Sequence, residues 1–162
     1  MIMEKGAIIS EDEIYRFRLW RIWNKELPLV LFVMLNPSKA DATINDHTIT
    51  KCIGFSSRWG YGGFYVGNLF AWRDTDPEAL YFHEQHGNDV IGVENDTHIK
   101  EMATLCKDVV FAWGNDGGLK GRNSDLEEMF PNALCLGRTK ATHYKHPLML
   151  AYTTPLINIQ QP

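Results

Sequence analysis

The sequence predicts an α/β protein: a three-layer α/β/α sandwich with a mostly parallel central sheet, four-stranded at its core, and an antiparallel strand or hairpin added at the N-terminus. Three observations lead there. Leu29 to Leu35 is a run of seven apolar residues set between Pro28 and the Asn36-Pro37 pair, too short to cross a membrane and too continuous for a half-exposed strand, so it reads as a strand buried on both faces. Two later apolar runs, Phe64 to Phe70 and Asp108 to Trp113, each follow a stretch with helical spacing, which is the pattern of parallel crossovers. Each run ends in a polar loop, and in open α/β sheets ligands sit at that carboxyl edge.

The elements follow in order. Gly6 to Ser10 is a short strand candidate. Tyr15 to Trp23 alternates at first, with Tyr15, Phe17 and Leu19 on one face and Arg16 and Arg18 on the other, which predicts a half-exposed strand. The phase breaks at Trp20 to Trp23, where a bulge or second packing surface is expected. The link from Asn24 to Pro28 is short enough to set this strand antiparallel to the Leu29 strand.

Beyond the central strand, Ser38 to Asn45 reads as a polar loop. Asn45 or Asp46 caps a helix carrying Ile49, Cys52, Ile53 and Ser56, and Gly62-Gly63 release the chain into the second strand. Glu78 to Phe82 is a helical turn, and Ile99, Met102, Ala103 and Cys106 mark a helix capped at Asn95. A further helix carries Leu119, Leu126, Met129 and Phe130 until Pro131 stops it; Ala133 to Leu136 is a fourth strand, and the tail is weakly structured. No repeat or linker divides residues 1–162, so one domain is expected.

Composition excludes several function classes. With 44% apolar and 12% aromatic residues the chain is globular, and a net charge of −4 argues against a broadly basic surface for coating a duplex. Cys52, Cys106 and Cys135 are widely spaced in apolar contexts and read as reduced core residues. The N-terminus lacks the pattern of a signal peptide and no window approaches about 20 apolar residues, so a cytoplasmic protein with no membrane partner is expected. The six histidines are scattered, no H-E-x-x-H pattern occurs, and Gly114 to Gly121 is Gly-rich but lacks the G-x-x-x-x-G-K-[ST] pattern of a P-loop, so neither a metal nor any other cofactor is expected.

Parallel strands would bring together Asn36; Asn68 with Arg73 and Asp74; Asn115 and Asp116; and Arg138, Thr139 and Lys140. A buried amide carries both a donor and an acceptor, so Asn36 and Asn68 suit reading a base edge or holding a water; the alternative is that each ties its own loop in an Asx-turn. Arg138 to His146 holds cations and no acid, which reads either as a phosphate-facing loop or as a solvated one. His146 precedes Pro147 and is held extended, where a neutral imidazole can donate to charge on a leaving group or serve the structure. Trp72 is the tryptophan best placed in a loop for stacking.

The segments Met34 to Asp41, Gly67 to Pro77, Ala112-Trp113-Gly114, Leu136 to Lys140 and His146-Pro147-Leu148 resemble an uncharacterised family of bacteria and phages, domain of unknown function 1643. The order of the pieces is also similar to the uracil-DNA glycosylase superfamily, with Ser38 in place of a loop glycine and Leu148 in place of a motif serine. That second resemblance implies that Asn36 positions a hydrolytic water, Asn68 reads the base, His146 stabilises the departing base, and Leu148 or Met149 wedges into nucleic acid. The expected sites are thus catalytic Asn36 and His146; substrate-binding Asn68, Ser38, Asp41, Trp72, Arg73 and Asp74; and phosphate-binding Arg138, Thr139 and Lys140. The expected partner is a nucleotide or nucleic acid, single-stranded or with a flipped base, acted on at an N-glycosidic bond without metal. A non-catalytic binding module in phage or bacterial DNA modification or defence, or a hydrolase of free nucleotides or phosphate esters, are the alternatives.

Overall fold

The central apolar run forms a strand with every residue buried, and the rest of the chain is arranged around it. In the computed structural model, which describes residues 2–161, β1 (Glu4–Ile9) and β2 (Arg16–Ile22) make a hairpin. They precede the central strand β3 (Val30–Met34), α1 (His47–Arg58) and β4 (Gly63–Asn68). Next come α2 (Ala79–Gln85), α3 (Asn95–Leu105), β5 (Asp108–Phe111), α4 (Arg122–Met129), β6 (Leu134–Cys135) and β7 (Ile157–Asn158). The strands form one sheet in the order β1-β2-β4-β3-β5-β6-β7.

Strands β4, β3, β5 and β6 are mutually parallel, whereas β1, β2 and β7 join through antiparallel pairings. The sheet is therefore mixed, and its parallel part is confined to the centre. Two departures from expectation have simple causes. The hairpin docks on β4 and not beside β3, because β4 and β5 already occupy both hydrogen-bonding edges of β3. In the tail, β7 pairs with β6 over two residues, a length at which no periodicity exists to be read.

Layering follows from handedness. The chain moves from β3 to β4 on one side and then passes back beyond β3 to β5 and β6, so right-handed crossovers must place α1 on one face and α3 and α4 on the other. The side chains agree: Val30, Phe32 and Met34 pack with Ile49 and Cys52 of α1, while Leu31, Val33 and Leu35 pack with Ile99, Met102 and Leu126. The α1 cap is Asp46, whose carboxylate accepts from the Ile49 N–H at 2.9 Å. Gly62 is required where it stands, since a Cβ there would lie 1.8 Å from the Asn24 carbonyl oxygen. Cys52 and Cys135 are buried, Cys106 is half-buried, and all three are unpaired.

The irregularity of β2 falls earlier than the alternation predicts. Ile8 opposes Arg18 and Ile9 opposes Arg16, which leaves Phe17 without a partner. Phe17 then stacks on His98 of α3 at 4.8 Å, and the next residue, Arg18, also reaches that ring, with its Nε donating to Nδ1 at 2.7 Å. The bulge sends Arg16 to the opposite face. There it is only 3% exposed and donates to the Ala40 carbonyl at 3.1 Å, so it is not the solvent-facing residue that alternation implies.

Arg21, fully buried, pins the loop before α1. Its guanidinium donates to Asn45 Oδ1 at 2.8 Å and to the carbonyls of Asp41 at 2.7 Å, Ile44 at 3.2 Å, Trp20 at 2.8 Å and Gly6 at 3.4 Å. Replacing it with the similarly long but donor-free methionine leaves those acceptors unpaired. Arg21→Met is expected to lower the unfolding free energy by about 2–4 kcal/mol in equilibrium urea denaturation; a loss below about 1 kcal/mol would mean that the loop is held by other contacts.

Candidate functional site

The parallel strands end at one edge of the sheet, and a cavity of about 590 Å³ opens there. Its position is the one the topology requires. The crossovers that leave β3 and β5 run over opposite faces, so the loops after these two neighbouring strands splay apart and leave a crevice between them. Asn36, Ser38, Asn68, Asp74, Asn115, Asp116 and His146 all line it, together with the start of α1 and the buried side chains of Arg16 and Trp113.

Two amides are held in opposite orientations. Asn36 Nδ2 donates to the carbonyls of Asp74 at 2.9 Å and Pro37 at 3.2 Å; both partners accept only, so Oδ1 is the atom without a partner among the described residues. Asn68 is 2% exposed, and its Oδ1 faces Arg16 Nη2 at 3.5 Å; a guanidinium only donates, so Nδ2 is the atom without a partner among the described residues. The loops that carry them are stitched together by Leu69 N–H to Met34 O at 2.8 Å, Phe70 N–H to Leu35 O at 3.0 Å and Asp74 N–H to Pro37 O at 3.0 Å. Asn95 of α3 and Arg122 of α4 secure the far side of the second loop by donating to the carbonyls of Asn68 and Leu69, each at 2.9 Å.

His146 has one ring nitrogen committed. Its Nδ1 accepts from the Leu148 N–H at 3.1 Å, which places the proton of the neutral ring on Nε2, and Nε2 has no hydrogen-bond partner among the described residues. Burial lowers the pKa of the imidazole, against an opposing pull from Asp46. Arg16 is the other perturbed group: burial pushes its guanidinium down to about 10, so the cation persists at neutral pH. Arg16 Nε and Trp113 Nε1 are buried without acceptors.

Not every expected residue reaches the cavity. Asp41 closes its own loop, its carboxylate accepting from the N–H groups of Thr43 at 2.9 Å and Ile44 at 2.8 Å; those same bonds, Ile44 first, lower its pKa. Trp72 is half-buried, packs against the core beside Tyr15, edge to face at 5.8 Å, and against His83 at 4.5 Å, and does not line the cavity. Arg73 is not among the lining residues and donates to the Glu13 carbonyl at 3.3 Å.

Arg138 spends its guanidinium on the carbonyls of Thr142 at 3.0 Å and Ile159 at 2.7 Å, anchoring the tail. Thr139 acts through a neighbour, donating to Asn115 Oδ1 at 2.6 Å, and Lys140 is exposed away from the lining. Conversely, sequence reading passed over Arg16, Lys39, Asp46 and His47, all of which line the cavity. Only the capping role of Asp46 was signalled, by its place before an apolar-periodic stretch. Among the described residues no cluster of three metal-ligating side chains occurs, and no helix is long and apolar enough to cross a membrane.

The imidazole yields a pH prediction with a definite sign. His146 is lowered on folding, so the unfolded chain takes up the proton first; its contribution to stability is complete above the ordinary value of 6.5 and is lost as pH falls from there toward the folded value. His98 is lowered too, by burial and then by Arg18, and adds a slope of the same sign. In urea denaturation between pH 7.5 and 5, His146→Asn is expected to be less acid-sensitive than the parent while keeping a residual slope; an identical slope would show His146 to titrate normally. Ring NMR at pH 7.5 is expected to report the Nε2–H tautomer.

Comparison with known proteins adds the family. No curated protein and no solved structure matches the chain. The family model described as "Protein of unknown function (DUF1643)" matches residues 16–148, which takes in the bulged arginine, both amides and the histidine, and the chain therefore belongs to that family.

Proposed function

We propose that the cavity binds a nucleobase and that the protein hydrolyses the N-glycosidic bond of a nucleotide or nucleic acid. The observation that carries this reading is the fixed and opposite polarity of the two strand-end amides: Asn36 offers only an acceptor to the cavity, and Asn68 offers only a donor. An acceptor held at a rim suits an attacking water, and a donor held beside it suits a ring carbonyl. A cavity near 590 Å³ falls in the ordinary range for a ligand of this size.

In this reading Asn68 Nδ2 donates to a carbonyl oxygen of the base, which favours keto bases such as uracil over those presenting an exocyclic amine. Asn36 Oδ1 accepts from a water and orients its lone pair toward C1′. The C1′–N bond breaks with its electron pair moving to the base, the water oxygen bonds to C1′, and one water proton is released. His146 Nε2–H, in a neutral ring, donates to the oxygen on which the base accumulates charge. Four parallel strands at the centre of the sheet, with His146-Pro147 following the last of them in the chain, are in keeping with the resemblance to the uracil-DNA glycosylase superfamily.

The test is base release from oligonucleotides and free nucleosides carrying uracil, modified or mismatched bases. Asn36→Ala and His146→Ala are each expected to lower the rate by about 10²–10³-fold. Release that is equal in the parent and both variants removes the catalytic assignment. Saturable binding of a keto base with no product in any substrate assigns the chain instead as a binding module.

A further inference from the structure

We infer that Arg16 and the first turn of α1 form a subsite for a phosphate group at one end of the cavity, which makes the natural ligand phosphorylated. The phosphate subsite is argued on its own observations, while the identity of the remainder of the ligand rests on the nucleobase reading above.

Arg16 carries more donors than its surroundings accept. A guanidinium has five N–H groups; Nη1 meets the Ala40 carbonyl, Nη2 reaches Asn68 only at 3.5 Å, and Nε is buried with no acceptor. At 3% exposure it also lacks a carboxylate at ion-pair distance among the described residues, whereas Arg122, equally buried, pairs with Asp96 and Asp125. A buried cation without a counter-ion, on the wall of a cavity, is the arrangement an incoming anion completes.

The start of α1 supplies a second set of donors. The Asp46 carboxylate takes the Ile49 N–H and the Asp46 carbonyl takes the Thr50 N–H, while the N–H groups of His47 and Thr48 have no acceptor among the described residues; both residues line the cavity. They sit at the positive end of a twelve-residue helix. Lys39 adds a cation at the rim. Phosphate matches this set: its oxygens can span a planar guanidinium and backbone N–H groups together.

Asp46 opposes the anion and so sharpens the test. Its charge pulls on Arg16 from beyond ion-pair distance and stands in part for the missing counter-ion. Asn is an equally good N-cap, so Asp46→Asn keeps the helix and removes the competitor. Phosphate should then bind more tightly in that variant. Replacing Arg16 with methionine removes the cation while keeping much of its length.

Calorimetric titrations of the parent, Arg16→Met and Asp46→Asn with inorganic phosphate, uridine and uridine 5′-monophosphate decide the matter, with thermal unfolding as the folding control. The parent is expected to bind the monophosphate at least about tenfold more tightly than uridine. That ratio should fall to near one in Arg16→Met, and phosphate affinity should rise severalfold in Asp46→Asn. If Arg16→Met does not fold, the parent ratio and Asp46→Asn carry the test.

Equal affinity of the parent for uridine and its monophosphate overturns the subsite and leaves the nucleobase reading intact. Phosphate binding lost in Arg16→Met, with no uridine binding by the parent, upholds the subsite and removes that reading. An oligonucleotide with internal uridine and only diester phosphates separates the sources: binding like the monophosphate assigns a strand phosphate, and failure to bind assigns a monoester.

Discussion

A strand buried on both faces must satisfy its backbone groups along both edges, and that constraint on β3 governs the molecule. β4 takes one edge and β5 the other, both parallel, so the crossover from β3 to β4 and the crossover back from β4 to β5 run in opposite directions and put α1 and α3 on opposite faces. The loops diverge at the carboxyl edge as a direct result. The cavity is the space they leave, and its walls are whatever residues follow the strand ends.

Three buried arginines show how that edge is stabilised and where it is left incomplete. Arg21 meets five acceptors around the loop before α1, and Arg122 ties α4 to the end of β4 and to two acids. Each is satisfied by the chain itself. Arg16 is not, although it comes from the same strand as Arg21. Two arginines thus hold the frame rigid while the third faces the space the frame encloses, a division that fits a preorganised site.

The expected site residues divide along the same line. Asn36, Ser38 and Asn68 stand at or within four residues of a parallel strand's end and reach the cavity, because that end fixes their position; Asp74 reaches it because its N–H is tied to the Pro37 carbonyl of the neighbouring loop. His146 joins them from the far end of the chain. Asp41, Trp72, Arg73 and Arg138 do not: each is consumed by local or tail-anchoring contacts that a polar, loop-like stretch of sequence does not distinguish from a ligand contact. In the basic run from Arg138 to Lys145, Arg138 holds the turn and the last residues of the chain, and the Thr139 hydroxyl accepts from the His143 N–H.

By itself the sequence determined the alternation of strands and helices, the burial of Val30 to Met34, the Asp46 cap and the amides at two strand ends, since each is written in local periodicity, proline placement or capping chemistry. Only the tertiary structure decided which strands are neighbours, that the tail returns to form β7, and that Arg16 turns inward. These depend on pairings between residues far apart in the chain. A bulge opposite Ile8 and Ile9 reverses the face of one arginine, and no pattern within β2 alone records what its partner strand will do.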